Sequence, residues 1–406
     1  MKTPQKAGVN HMSNKMMGKK RKDPMVKLIV LAVVMVLLVA ACFLGQALVD
    51  GIGEADYAAY QREVQEVRDR NEAKQDQYDR DVAEYTAKLN QSNQVNEAWP
   101  AANPTGWDII DLTNYPLEYP GTVTVNRADI MNNGLLLVNE WHSRPEDFSE
   151  EAVVGVAGYA RNDKDLSSFV ENNTCRLFPQ AIDAFMAALK DAKALGLTGY
   201  VMRAGSTYRT YEDQYTLFQN EVDRQRRNHS NYSEDKLIER AKRSVNYPGT
   251  SEYNTGLSFN LFLYEKDNAA LNNAAFYETA QGKWLYENSW KYGIVFRFPN
   301  AGYPMADTTD KSYKTGVSSN LNIYRYVGVA NAEIMHHLDL CLEEYIEYLQ
   351  ERTHLAVFED GVKKYEITYQ LVGDEAASFA VDINRITDNY TMYLDNMGGV
   401  ITVYTY

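Results

Sequence analysis

The hydrophobic and polar positions divide the chain into an apolar run, a charged periodic segment and a body of mixed helix and strand patterns. Leu28 to Gly45 is apolar without interruption, and with Gln46 tolerated the run reaches Val49. Those 22 residues predict a transmembrane helix over 28–49, because about 20 suffice to cross the hydrocarbon core. From Glu54 to about Val95 Gly and Pro are almost absent, and Tyr57, Tyr60, Val64, Val67, Asn71, Lys74 and Tyr78 recur at helical spacing. Val82, Tyr85 and Leu89 resume the pattern after a shift. The spacing predicts a helical stalk over 54–96, roughly 60 Å long at about 1.5 Å per residue. Asn71 and Lys74 in the seam limit it to a weak coiled coil, so a stalk that forms a homodimer and a lone spacer helix are equally compatible with it. Trp99-Pro100 and Asn103-Pro104 then break the helix and mark a linker.

Beyond the linker the pattern predicts an α+β body over 105–352. Asn133–Asn139 reads as a short apolar strand. Phe178–Leu195 reads as an amphipathic helix with Phe178, Ala181, Ile182, Phe185, Met186 and Leu189 on one face and Gly196 as its stop. Tyr200–Arg203 predicts a strand, and Ser233 an N-cap for a helix through Val245. A Pro-Gly turn at Pro248 opens a loop that reaches Asn260 and feeds a buried strand at Leu261–Tyr264. Asn331–Leu340 and Leu342–Leu349 predict two further helices. Residues 355–406 are rich in Val, Tyr and Thr, with turns at Asp360-Gly361 and Gly398-Gly399. They predict a small C-terminal β appendage with strands at Val362–Val372 and Val400–Tyr406.

Composition sharpens this picture in three places. The formal charge is −14, yet residues 1–27 carry +7, which leaves −21 on the rest. So acidic a body repels phosphates, which argues against a nucleic-acid partner. The basic cluster Lys19-Lys20-Arg21-Lys22 before the apolar run places the N-terminus in the cytoplasm and the body outside the cell membrane. A cleaved signal peptide is the first alternative. The second is a lipoprotein-like Val39-Ala40-Ala41-Cys42 box with Cys42 lipidated, but the apolar residues continue past Cys42 and favour an uncleaved anchor. Three cysteines, Cys42, Cys175 and Cys341, make no disulfide framework.

Candidate chemistry lies in four clusters. Pro248 to Asn260 contains Ser251, Tyr253, Gly256 and Asn260, and resembles the S-x-H-x-x-G-x-A-x-D signature of VanY-type zinc D-alanyl-D-alanine carboxypeptidases, in the LAS group of cell-wall peptidases. Ser206-Thr-Tyr-Arg209 followed by Gln214 and Leu217 resembles the family's S-x-Y-R-S-x-x-x-Q-x-x-L. Thr279 to Pro299, with Trp284, Asn288, Tyr292, Gly293 and Arg297, resembles T-x-x-G-x-W-L-x-x-N-x-x-x-Y-G-F-x-x-R-Y-P. Asn320 to Gly328 resembles E-P-W-H-x-R-Y-V-G, with Arg325-Tyr326-Val327-Gly328 fixing the register. The resemblance runs from about Gly134 to Leu349 and implies a LAS-type, VanY-like fold.

It also implies what is missing. The family's zinc ligands stand at positions occupied here by Tyr253, Asn260 and Ile323, and its general-base glutamate at Asn320. A zinc hydrolase needs three protein ligands, an open water position and a carboxylate to move protons. Isoleucine cannot ligate, an amide ligates poorly and a neutral phenol titrates near pH 10, so the zinc cofactor is expected to be lost. None of the six histidines occupies a ligand position. The resemblance leaves Ser206, Arg209, Gln214 and Ser251 as substrate-binding residues. A rigid guanidinium fork suits a carboxylate or carbonyl, although a structural tie between loop and helix is the plainer role for Arg209. The expectation is a membrane-anchored pseudopeptidase that binds peptidoglycan stem peptides or an extracytoplasmic protein. An active D,D-carboxypeptidase and a membrane-tethered scaffold are the alternatives.

Overall fold

The computed structural model describes residues 24–92, 99–162, 169–373 and 376–406. The chain divides into two units, residues 1–66 and 67–406. One helix, Pro24–Ser92, covers both the predicted apolar span and most of the predicted stalk. In the first unit the large apolar side chains described between Leu28 and Leu44 are all exposed. Among the described residues no helix is long and apolar enough to cross a membrane. The side chains of Val30 and of Gly45 to Val49 lie outside the described residues, as does the basic cluster at 19–22.

The second unit takes in the helix from Val67 onward, so this part of the predicted stalk belongs to the body. Val67, Asn71, Gln75 and Tyr78 are its half-buried positions. Tyr78 donates a hydrogen bond to the Gln350 carbonyl at 2.7 Å and meets the Tyr369 ring edge-on. The polar seam residue Asn71 and its neighbour Gln75 therefore border a cleft shared with Glu347 and Gln350. Lys74, expected in the seam, is exposed.

A four-stranded antiparallel sheet carries the rest of the argument. Its order is Tyr200–Met202, Ser258–Leu263, Ile323–Tyr326, Ile294–Phe296. Side chains alternate across a strand. Phe259, Leu261 and Leu263 therefore face one core, which they share with Ile182, Phe185 and Leu189 of helix Pro179–Ala194. Ser258, Asn260 and Phe262 face the other way. The register sets Ser258 opposite Arg325 and Asn260 opposite Ile323.

The C-terminal strands do not form a detached appendage. His354–Glu359, Val362–Leu371, Gly399–Thr405 and Tyr390–Leu394 make a five-stranded sheet completed by Trp107–Asp111, from the start of the body. Pro120–Asn126 pairs with Ser378–Asn384. Leu355, Val357, Ile367, Ile401 and Val403 share one core with Ile334, Leu342, Tyr345 and Leu349 of the preceding helices. The division into 105–352 and 355–406 is thus replaced by one interwoven body.

The predicted strand at Asn133–Asn139 is corrected too. Leu135 to Val138 are buried but outside any sheet ladder. Their backbone groups bond elsewhere: the Gly134 and Leu136 carbonyls accept from Arg325 Nη2 at 2.7 and 2.9 Å, and Leu137 N donates to the Asp395 carbonyl. Buried backbone groups need partners, and here an arginine side chain supplies part of what a neighbouring strand would.

Candidate functional site

The loop before strand Ser258–Leu263 is shaped locally. Glu252–Thr255 forms one 3-10 turn, and Gly256 closes it at φ +69°. A Cβ on Gly256 would lie 2.8 Å from the Phe178 ring, so both conformation and space require glycine there. Asn254, fully buried, accepts from Ser251 N at 3.3 Å through Oδ1 and donates from Nδ2 to the Arg209 carbonyl at 2.9 Å. One amide thus joins the Ser251 loop to the segment that carries Ser206, Arg209 and Gln214. The Arg209 N–H donates back to the Tyr253 carbonyl at 3.0 Å.

These ties gather most of the expected site residues around Tyr253. The side chains of Ser206 and Asn260 lie beside its phenol and favour its ionised form, and the Arg209 guanidinium lies 4.5 Å from the centre of its ring. Arg209 Nε donates to the Gly205 carbonyl at 2.7 Å and Nη1 to Gln214 Oε1 at 3.2 Å. Gln214 is fully buried and its Nε2 donates to the Asn246 carbonyl at 2.7 Å. Ser251 is buried at the start of the loop. Ile323 is buried directly across the ladder from Asn260. Asn320 is exposed on the segment before its strand, where its Oδ1 accepts from Asn300 Nδ2 at 3.3 Å.

The electrostatics of this group do not fit a zinc site. Burial raises the Tyr253 phenol above its usual range, only partly opposed by the neighbouring Ser206 and Asn260 side chains and by the Arg209 charge. The phenol therefore stays protonated near neutral pH, where a metal ligand must give up its proton. An amide and a buried aliphatic side chain complete the set. Among the described residues no group of three His, Cys, Asp or Glu side chains is placed to hold a metal ion. His142 lies elsewhere: its Nδ1 is 3.0 Å from Asn139 Oδ1, and burial pushes its pKa down to about 4.

A buried charge network beneath the loop escaped the sequence reading. Glu252, beside Tyr253, accepts from Arg297 Nε at 2.9 Å, Arg325 Nη1 at 2.5 Å and Ser258 Oγ at 2.5 Å. Arg297 also bonds Glu343 through both terminal nitrogens, at 2.9 and 2.7 Å. Burial alone would raise the Glu252 carboxyl, but the two guanidiniums and the Ser258 hydroxyl outweigh it and hold the group below its usual range. Glu252 is thus a tied anion whose oxygens are occupied, and it does not supply the missing general base. Its partners lie 45 and 73 residues away in sequence, so no local spacing announces the pairing.

An antiparallel sheet, a glycine-closed loop leading into one of its inner strands and an arginine–glutamine pair beside that loop make up the site. The VanY D-alanyl-D-alanine carboxypeptidase family profile matches residues 175–329. The putative carboxypeptidase YodJ of Bacillus subtilis (strain 168) is 30% identical over 220 residues, which cover 54% of this chain and 69% of YodJ. A D-alanyl-D-alanine carboxypeptidase of Enterococcus faecalis (strain ATCC 700802 / V583) is 32% identical over 233 residues, 57% of this chain and 72% of that one. The crystal structure of the vancomycin-resistance D,D-dipeptidase VanXYg, in complex with a D-Ala-D-Ala phosphinate analogue, aligns at TM-score 0.50 and 20% identity over 71% of this chain and 99% of that one. The chain belongs to the VanY-type D-alanyl-D-alanine carboxypeptidase family.

Proposed function

We propose that the chain is a membrane-anchored, extracytoplasmic pseudopeptidase that binds peptidoglycan stem peptides without hydrolysing them. The observation that carries this reading is Tyr253. Its phenol, its pKa raised by burial, stays protonated where the family's metal chemistry would be centred. Arg209 and Gln214 nevertheless remain as an ordered pair beside it. The Arg209 guanidinium, steadied by the buried Gln214, is a donor for a carboxylate or a peptide carbonyl, and the groups that activate water are replaced. The relatives' names as D-alanyl-D-alanine carboxypeptidases point to a peptide ending in D-Ala-D-Ala as the ligand. Membrane anchoring is supported by the exposed apolar side chains between Leu28 and Leu44, and the orientation by the basic residues before them.

The test is to incubate the full chain, purified in detergent, with a synthetic pentapeptide ending in D-Ala-D-Ala, with and without added zinc. Binding by calorimetry, with no free D-alanine released in either condition, is the expected result. Zinc-dependent release of D-alanine would overturn the reading, and so would failure to bind the peptide at all.

A further inference from the structure

Next to Asn260 the groove opens into a pocket of about 270 Å³, bounded by Arg203, Asn260, Phe262, Asn272, Phe276 and Asn322. The volume lies just under the range of small-ligand sites, roughly 300–1,000 Å³.

The polar groups on its walls are not equally available. Asn272 is engaged through both side-chain atoms, accepting from Glu265 N at 2.7 Å and donating to the Glu265 carbonyl at 2.9 Å. Asn322 Oδ1 accepts from the Tyr303 hydroxyl, and the Asn260 side chain lies beside the Tyr253 phenol. Arg203 differs. Its backbone is pinned, with N donating to the Asn260 carbonyl at 2.9 Å. Its exposed guanidinium lies over the Phe262 ring, 4.7 Å from the centre. Among the described residues no carboxylate pairs with it, although the chain carries 55 acidic residues against 41 basic ones. Stacking uses the face of the guanidinium and leaves its edge donors directed outward.

We propose that Arg203, stacked on Phe262, is a second recognition point in this groove and pairs with a carboxylate of the bound peptide. This inference rests on the peptide-binding reading and adds a charge requirement to it. Two carboxylates have the same chemistry: the C-terminal one of the peptide, and the free carboxylate of an internal D-glutamate. In either case the partner of Arg203 is an anion held edge-on, with Phe262 fixing the plane of the fork.

The experiment measures affinities of the full chain, wild type and Arg203→Gln, by calorimetry. The probes are an N-acetylated pentapeptide containing D-glutamate and ending in D-Ala-D-Ala, its C-terminal carboxamide, and the version with D-glutamine in place of D-glutamate. Arg203→Gln is expected to weaken binding of the parent peptide about tenfold, the effect of losing one charge-assisted pair. One of the two amidated peptides should bind the wild type about tenfold more weakly than the parent does, and should lose nothing further in Arg203→Gln. Whichever amidation does so identifies the carboxylate. If the wild type binds and Arg203→Gln binds all three peptides equally well, the Arg203 proposal falls while the peptide-binding reading stands. If the wild type binds none of them, that reading falls and takes this proposal with it.

Discussion

The buried charge network is the most demanding feature of the body, and Glu252→Ala probes it directly. Among the described residues Glu252 is the one carboxylate bonded to Arg325, whose other hydrogen bonds go to the Gly134, Leu136 and Tyr326 carbonyls. Arg297, by contrast, keeps two bonds to Glu343 when Glu252 is removed. The substitution therefore strands the fully buried Arg325 charge. Breaking a buried pair in this way costs about 3–5 kcal/mol. Glu343→Ala leaves Arg297 its bond to Glu252 and should cost less, about 2 kcal/mol. Removing Glu252 and Arg325 together, both to Met, takes one charge of each sign and leaves Arg297–Glu343 neutral. Apolar replacement of a buried pair is often close to neutral, but it also takes the donor from the buried Gly134 and Leu136 carbonyls, so the double variant should recover only part of the loss. Urea denaturation followed by fluorescence of the five tryptophans, all between Trp99 and Trp290, reports unfolding of the body. A Glu252→Ala chain within about 1 kcal/mol of wild type, or a double variant less stable than that single one, would refute this account.

Three other outcomes are expected. Glu366 is buried, and burial alone would raise its pKa, yet His354, Tyr406 and Asn384 hydrogen-bond it and hold the value at about 2 against an ordinary 4.5. A carboxyl whose folded pKa is depressed stabilises the fold above its unfolded pKa. Roughly 3 kcal/mol should therefore be lost as pH falls from 4.5 towards 2, and thermal melts of Glu366→Gln should lack that acid limb. Gly256→Ala forces a left-handed residue against the Phe178 ring, so it should cost about 1–3 kcal/mol, read as a lowered melting midpoint; an unchanged midpoint would mean the loop is not held as described. Tyr253→His/Asn260→Asp/Ile323→His restores a two-histidine, one-carboxylate set and should purify with about one zinc per chain, while the wild type carries little. Stoichiometric zinc in the wild type, by elemental analysis, would contradict the reading of Tyr253.

Much of the site was legible because its residues lie in short, ordered stretches. Ser206, Arg209 and Gln214 fall within nine positions, Ser251, Tyr253 and Asn260 within ten, and each stretch folds as a unit against the next. Helix Pro179–Ala194 was equally plain, since its apolar positions recur at helical spacing and face one core. The misreadings involve partners far away in sequence. Gly134 to Val138 has the look of a strand, but its carbonyls are taken by Arg325, some 190 residues on. The last fifty residues read as self-contained because nothing local shows that Trp107–Asp111 and Pro120–Asn126 pair with them. Arg297 and Arg325 were visible only as motif letters, and the carboxylate between them went unnoticed because isolated acidic residues are common on surfaces.

That distribution of contacts also shows what holds the loop in place. The loop carrying Tyr253 is held by Asn254 to the Arg209 segment, by Gly256 against Phe178 and by Glu252 to two strands through Arg297 and Arg325. None of these residues stands at a family ligand position. Metal ligation and loop placement are therefore separable: ligands can be exchanged while the loop remains where the sheet and the charge network put it. The replacements are also mutually consistent. The phenol at 253 sits beside Ser206 and Asn260, and an aliphatic side chain at 323 fits a buried position across the ladder from Asn260. The site is thus packed around Tyr253, with the Arg209 guanidinium over its ring and Ile323 buried opposite its ladder partner Asn260.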